Sequence, residues 1–111
     1  MELIERALSY DLYNDLEAIL TAIAGGKIQQ WIGERSFLLT EIRDHPKCRS
    51  LQVVLAGGDL DEIITTLRPE AEQYGREMGC TRVHIEGRRG WAKALKSHGY
   101  TPKTYICEKA L

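Results

Sequence analysis

Two arginines enclosed by glycines form the most unusual polar stretch of the sequence. Arg88 and Arg89 lie in residues 86–91 (EGRRGW), directly after a run that is typical of a strand. An arginine side chain offers a planar fork of N–H donors that fits the oxygens of a phosphate or a carboxylate. The adjacent Trp91 could stack on such a ligand. The other interpretation is a solvated turn in which Trp91 starts a helix and packs in the core, and the sequence leaves both open.

A glycine-containing loop is the second candidate for ligand binding. It consists of Ala56, Gly57, Gly58, Asp59 and Leu60. Backbone N–H groups in such a loop and at the start of a helix can hold a phosphate. However, Asp59 is followed by Asp61 and Glu62, and each carboxylate close to a phosphate costs on the order of 1 kcal/mol even in water. The alternative is a simple strand-to-helix turn in which a glycine supplies a positive φ.

Candidates for proton transfer are dispersed along the chain. Glu41 and Glu86 are carboxylates that could act as a general base. None of the histidines, His45, His84 and His98, is accompanied by a nucleophile or by the spacing of a metal site, so structural roles are favoured for them. The three cysteines form no C-x-x-C pair, which argues against a zinc site and favours free thiols.

One long amphipathic helix must position these candidates. Apolar residues within 60–78 recur at spacings of three and four, which is typical of one buried helix face. Asp59 stands at the N-cap position and Gly79 at the C-terminal stop. Pro69 lies inside the helix and predicts a bend near residues 65–68 or two helical segments in series.

The elements around this helix predict an α/β fold. Strand-like runs at 51–55 and 82–85 flank the helix, so these two strands are expected to be parallel and the crossover right-handed. A hairpin with a tight turn at Gly33-Glu34, Gly at its first position, precedes them. Residues 2–24 are predicted to be helical, either as one helix or in two pieces, and Ser9 or Asp11 could cap the second piece. The other predicted elements are hairpin strands over 28–32 and 36–43, a third strand over 48–55, a short helix over 91–97 and a last strand over 104–109. The predicted fold class is therefore a mixed sheet with an N-terminal antiparallel meander and crossover helices.

Length and composition indicate one globular domain over residues 1–111. The net charge is −1, from 15 basic and 16 acidic residues, so bulk charge points to neither a nucleic acid nor a membrane as a partner. No apolar run approaches the roughly 20 residues that cross a bilayer. The beginning of the sequence lacks the pattern of a signal peptide, and a cytoplasmic location is expected.

The order of elements, together with residues 79–100 (GCTRVHIEGRRGWAKALKSHGY), resembles the Gcn5-related N-acetyltransferase superfamily. Gly79-Cys80 matches the usual junction between the crossover helix and the next strand. Gly99-Tyr100 matches the glycine-aromatic pair that ends the short helix. The resemblance implies a crossover helix that begins beside the pyrophosphate of an acyl-CoA.

Three departures from the family pattern lead us to expect a non-catalytic domain without a cofactor. The acidic turn after Gly58 stands where the family has a Q/R-x-x-G-x-G/A pyrophosphate loop. Leu95 stands where the family often has a tyrosine that protonates the leaving thiolate, and Arg88 stands about where it has an asparagine. The chain is similar in this respect to small domains of tailed bacteriophages. That similarity implies a virion structural or assembly component with protein partners or self-association, in the host cytoplasm or in a virion.

The alternative is an acyl-CoA-dependent N-acetyltransferase with a divergent site. In it the backbone of residues 56–60 holds the pyrophosphate of acetyl-CoA, and Arg88 and Arg89 contact the cofactor's phosphates. Glu41 or Glu86 is then the base. The substitute acid is Tyr100 or Tyr105. This interpretation requires the strands at 51–55 and 82–85 to part near Gly57. A third hypothesis is a sensor of small anions that uses the same two arginines.

Overall fold

A four-stranded mixed sheet is the centre of the fold. The computed structural model describes residues 15–86, 89–103 and 107–111. The strands are β1 (Ile28–Ile32), β2 (Ser36–Asp44), β3 (Arg49–Gly58) and β4 (Arg82–Ile85), and they lie side by side in that order. β1, β2 and β3 form an antiparallel meander, and β4 is parallel to β3. This is the α/β arrangement that the sequence predicts.

Helices cover both faces of the sheet. They are α1 (Leu16–Ala24), α2 (Leu60–Glu62), α3 (Arg68–Glu77) and α4 (Arg89–Leu95), followed by a 3₁₀ turn (Lys96–His98). α1 packs on one face, over a core that includes Ile19, Phe37 and Leu39. α2, α3 and the π-helical turn between them pack on the other face, over Leu51 and its neighbours. Because side chains alternate along a strand, consecutive residues such as Leu38 and Leu39 belong to different cores.

β3 carries one extra residue where it faces β2. Leu39 pairs with Leu55 and Thr40 pairs with Val53, so Val54 is left over as a β-bulge. A bulge bends its strand and shifts the alternation by one residue. Accordingly Val53 packs against the core beneath the crossover helix, whereas Val54 and Leu55 both pack against the core beneath α1.

The crossover helix spans residues 60–77 and is not a single α-helix. Asp59 is the N-cap, as predicted, and its side chain accepts a hydrogen bond from the Glu62 N–H. A π-helical turn, Ile63–Leu67, separates α2 from α3, and Pro69 lies in the first turn of α3. The expected break near the proline is therefore confirmed as two helical segments in series. Gly79, with φ of 83°, ends the helix as predicted.

Several predicted boundaries are wrong. α1 begins at Leu16, and Asp15, in an extended conformation, is its N-cap, so the prediction that this helix runs unbroken through residue 15 is wrong. Ser9 and Asp11, the predicted caps, lie outside the described residues. The hairpin of β1 and β2 forms as predicted, but residues 33–35 separate the two strands, so the connection is one residue longer than the predicted turn at Gly33-Glu34.

The predicted last strand is only partly open to comparison. Residues 104–106 lie outside the described part of the chain, and residues 107–109 are not in a strand. The short helix begins two residues earlier than predicted and ends at Gly99, which has φ of 88°. Among residues 15–86, 89–103 and 107–111, no helix is both long enough and apolar enough to cross a membrane.

Candidate functional site

The glycine loop is built into the end of β3. Ala56, Gly57 and Gly58 pair with Leu38, Phe37 and Ser36 of β2. Gly58 has φ of 105°, and a Cβ there would run into the backbone at Arg35 and Ser36. The prediction that this strand ends at residue 55 and is followed by a loop over 56–60 is therefore wrong, because residues 56–58 are still paired with β2. The positive φ expected of a glycine here is found at Gly58, where the close approach of two backbones also requires glycine.

Asp59 occupies the backbone donors at the start of the crossover helix. Its carboxylate accepts from the Glu62 N–H at 3.1 Å and from the Arg35 Nε at 3.1 Å. The backbone N–H of Glu62 lowers the pKa of Asp59 below its ordinary value, and the hydrogen bond from Arg35 lowers it further. A carboxylate at this position stabilises the helix N-terminus by the same interaction that would attract a phosphate.

Glu62 turns away from its own helix and binds the loop between β1 and β2. We call residues 33–36 the hairpin loop. The Glu62 carboxylate accepts from the Glu34 N–H at 3.1 Å, from the Arg35 N–H at 2.9 Å and from the Ser36 hydroxyl. The Ser36 hydroxyl and then the Arg35 N–H lower the pKa of Glu62, so the carboxylate stays ionised at neutral pH. We call the contacts of Asp59 and Glu62 with this loop the carboxylate clamp.

The carboxylate clamp lies at an acidic end of the crossover helix. Three carboxylates, those of Asp59, Asp61 and Glu62, stand in or beside the first helical turn. Arg35 lies against them, and its side chain is 64% exposed. A pyrophosphate placed here would meet acceptors where it needs donors, and each close like-charge contact opposes it by about 1 kcal/mol even in water.

The pairing between β3 and β4 ends beside the bulge in β3, where β4 itself ends. The last pair between them is Val53 with Ile85, and β3 continues for five more residues along β2. Within the described residues nothing pairs with the β4 side of residues 54–58. β4 itself ends at Ile85, so the pairing stops with the strand, and a parting of the two strands near Gly57 stays a prediction.

The space under the crossover helix, beside the last pair of β3 and β4, is filled by side chains. Those lining it include Leu38, Leu51, Val53, Ile63, Trp91 and Leu95. The room left between them is about that of one water molecule. Leu95, at the position of the family's acid, is 3% exposed and belongs to this packing.

Tyr100 ends in a polar cluster at the edge of the same packing. Its hydroxyl donates to Glu72 at 2.6 Å, and Arg68 donates to the same carboxylate at 2.6 Å. Arg68 also contacts the His98 Nδ1 at 3.2 Å. Burial and the Glu72 carboxylate raise the pKa of Tyr100, so its phenol remains protonated. Sequence reasoning missed Arg68 and Glu72, although their i,i+4 spacing was a usable signal.

The remaining proton-transfer candidates do not gather around Tyr100. Glu41 lies on the α1 face of β2, because Thr40 beside it points to the other core, and it accepts from Arg43 at 2.5 Å. Glu86 is exposed after the end of β4.

The arginine pair is described only in part. Arg88 and Tyr105 lie outside the described residues. Arg89 is the first residue of α4, and nothing of its side chain is described. Phosphate contact by this pair remains a prediction.

The histidines and cysteines take separate places. His84 is exposed on the sheet face opposite Val83 and Ile85, and His45 pairs with the Ser50 hydroxyl at 2.9 Å. All three cysteines are free thiols, as expected, and burial raises the pKa of Cys80. In the described part of the chain no three His, Cys, Asp or Glu side chains are grouped closely enough to hold a metal ion.

Comparison with known proteins identifies the fold. No protein-family model and no curated protein matches the chain. An acetyltransferase from Trypanosoma brucei superposes with a TM-score of 0.69 and 12% identity, over 99% of this chain and 89% of that one. The wild-type protein TTHA1254 from Thermus thermophilus gives 0.64 and 16%, over 97% and 89%. Glucosamine-6-phosphate N-acetyltransferase from Arabidopsis thaliana gives 0.59 and 11%, over 68% of this chain and 56% of that one.

These likenesses concern the fold. The chain has the fold of Gcn5-related N-acetyltransferases, as the resemblance in its sequence implies. It spans little more than half of the plant enzyme.

Proposed function

We propose that this domain is a non-catalytic member of the acetyltransferase fold that works through contacts with protein partners. The observation that carries the proposal is the carboxylate clamp. Asp59 fills backbone donors at the start of the crossover helix, and Glu62 adds a second ionised group beside them. Both carboxyls have lowered pKa values, so neither is neutralised at neutral pH to make way for a phosphate.

The packing of side chains under the crossover helix supports the same proposal. An acyl-CoA arm between β3 and β4 would have to displace side chains such as Trp91 and Leu95, because the space left beside them holds about one water molecule. Tyr100 lines this packing, but its hydroxyl already donates to Glu72, and it is a weak acid because its pKa is raised.

The proposed setting is a phage-type virion or its assembly, with a virion protein or a second copy of the chain as the partner. It rests on the similarity of the sequence to small phage-encoded domains. The proposed location follows from it, as host cytoplasm or the finished particle.

An acyl-transfer assay tests the proposal. Purified protein is incubated with acetyl-CoA and a panel of primary amines, and released thiol is measured. We expect release no faster than in the same mixture without protein. Release that depends on both the protein concentration and one amine would contradict the proposal.

The second candidate function is an acyl-CoA-dependent N-acetyltransferase. The observation that favours it is that the pairing of β3 with β4 stops at Val53 and Ile85, next to the bulge at Val54, so the following residues of β3 pair only with β2 in the described part of the chain. In this candidate the backbone of residues 56–60 and the arginines 88 and 89 hold the cofactor, Glu86 or Glu41 is the base, and Tyr100 or Tyr105 is the acid.

Substitution of Glu41 and of Glu86 shows which of them, if either, acts as the base. If the domain is an enzyme, either Glu86→Gln or Glu41→Gln lowers the rate of acyl transfer by about 100-fold or more. Glu70→Gln, an exposed change on the crossover helix, is the matched control and leaves the rate unchanged. Equal rates for all three variants would remove both proposed bases.

A further inference from the structure

The hairpin loop holds the Glu62 carboxylate with donors that come from a distant part of the chain. The Glu34 N–H donates to Oε2, and the Arg35 N–H and the Ser36 hydroxyl donate to Oε1. These donors lie 26 to 28 residues from Glu62 in sequence and belong to the loop, not to the helix that carries the carboxylate. Two successive backbone N–H groups that converge on an anion form a nest.

The first residue of the loop makes room for the carboxylate. A Cβ at Gly33 would lie 2.5 Å from the Glu62 Oε1 and 2.7 Å from its carboxyl carbon. Any other residue would therefore push the carboxylate away. Gly33 does not need a positive φ, so the close approach of Glu62 is the constraint that the structure places on this position.

We propose that the hairpin loop is a binding site for a small carboxylate and that Glu62 of the same chain occupies it. Three donors divided between two oxygens match the shape of one carboxylate. Asp59 stands next to the site and is held by the Arg35 side chain. Its negative charge disfavours a dianion, so the site selects a monovalent carboxylate over a phosphate. This inference concerns the loop itself and is independent of whether the domain binds acyl-CoA.

Removing the resident side chain should open the site to a free ligand. Glu62→Ala leaves the loop donors and the glycine in place. We expect acetate added to this variant to move the amide NMR signals of Glu34 and Arg35 in a saturable way. Chloride at the same ionic strength should not do so, and phosphate should bind more weakly than acetate. The wild-type protein, whose site is filled, should not respond to acetate.

A second substitution serves as the control for the site. Ser36→Ala in the Glu62→Ala background removes one donor to the anion and should weaken acetate about tenfold or more, because a hydrogen bond to a charged group is lost. Signals of Glu34 and Arg35 that ignore acetate, or that move equally with chloride, would overturn the proposal.

The wild-type protein provides an independent measurement if Glu62→Ala does not fold. Acid titration should move the Glu34 and Arg35 amide signals together, in one transition that follows protonation of the Glu62 carboxyl. In Glu62→Gln that transition should be absent. Amide signals that do not change as the carboxyl is protonated would show that these donors are not bound to it.

Discussion

Glu62 and Gly58 determine together how the hairpin loop meets the crossover helix. Gly58 lets the backbone of β3 pass against Arg35 and Ser36, and Glu62 then reaches the N–H groups of the same loop. Neither contact depends on a buried apolar side chain. At the scale of single residues, the candidate site is thus a backbone arrangement that carboxylates hold in place.

Gly58→Ala is expected to be strongly destabilising. The substitution combines a positive φ, which costs a residue with a Cβ about 1–2 kcal/mol, with a collision against backbone that cannot move away. Gly26→Ala is the matched control, because Gly26 has φ of 77° but open space around its missing Cβ. Urea denaturation should show a loss for Gly58→Ala that exceeds the loss for Gly26→Ala by at least about 1 kcal/mol. Equal losses would mean that the close approach has no energetic consequence.

Because of the carboxylate clamp, we expect the free energy of unfolding to decrease at acid pH. Hydrogen bonds lower the pKa of Asp59 and Glu62 in the folded protein from ordinary values of 3.8 and 4.5. The stabilisation is therefore complete above those ordinary values and is lost as pH falls through the lower folded values. We expect the free energy of unfolding to decrease with pH below about 4.5, and to decrease less steeply in Asp59→Asn/Glu62→Gln protein.

Denaturation at a series of pH values measures this dependence. Glu70→Gln, an exposed change outside the clamp, is the control for the loss of one carboxylate. If the double variant kept the full acid dependence of the wild-type protein, the clamp would not be its source.

The π-helical turn of the crossover helix is explained by the residues on either side of it. The Arg68 N–H bonds to the Ile63 carbonyl, five residues back. The same pattern would make Pro69 the donor to Ile64, but proline has no N–H. The Arg68 Nε donates to the Ile64 carbonyl instead, at 3.0 Å. This bond fixes the guanidinium, whose other nitrogens hold Glu72 and His98.

At the scale of the element, we therefore expect Arg68→Met to destabilise the protein. The methionine keeps an apolar stem but leaves the Ile64 carbonyl and the Glu72 carboxylate without this donor, which costs about 1–3 kcal/mol. The side chains of Arg68 and Glu72 are only 14% and 16% exposed, so water compensates little. Thermal or urea denaturation measures the loss.

Arg76→Met is the matched control. Arg76 also faces Glu72, at 3.5 Å, but is 65% exposed. Its removal should change stability by no more than about 0.5 kcal/mol. Similar losses for the two variants would contradict the role given to Arg68 at the π-helical turn.

At the scale of the whole molecule, the order of elements could be predicted because it depends on local patterns. Apolar spacing indicated the crossover helix, and Asp59 and Gly79 marked its ends correctly. Pro69 correctly predicted a break in this helix. These signals act within one turn of helix or one strand, so a single sequence contains them.

The contacts that define the site could not be predicted in the same way. Glu62 meets the hairpin loop across 26 to 28 residues, and Tyr100 meets Glu72 across 28. The bulge at Val54 depends on how β3 fits β2 and has no local signature. Sequence reasoning placed Asp59, Asp61 and Glu62 at the start of the helix, where the structure has them, but it did not predict the loop that binds Glu62.

Calorimetric titration of the wild-type protein with acetyl-CoA asks whether the helix N-terminus is free to bind a pyrophosphate. We propose that it is not, because the chain's own carboxylates occupy the place where the family binds this group. We therefore expect no saturable heat at millimolar acetyl-CoA and no rise in melting temperature. A ligand at 100 times its Kd would add about 2.7 kcal/mol of stability. Saturable binding of one acetyl-CoA per chain, with a corresponding rise in melting temperature, would refute the proposed role of the carboxylate clamp.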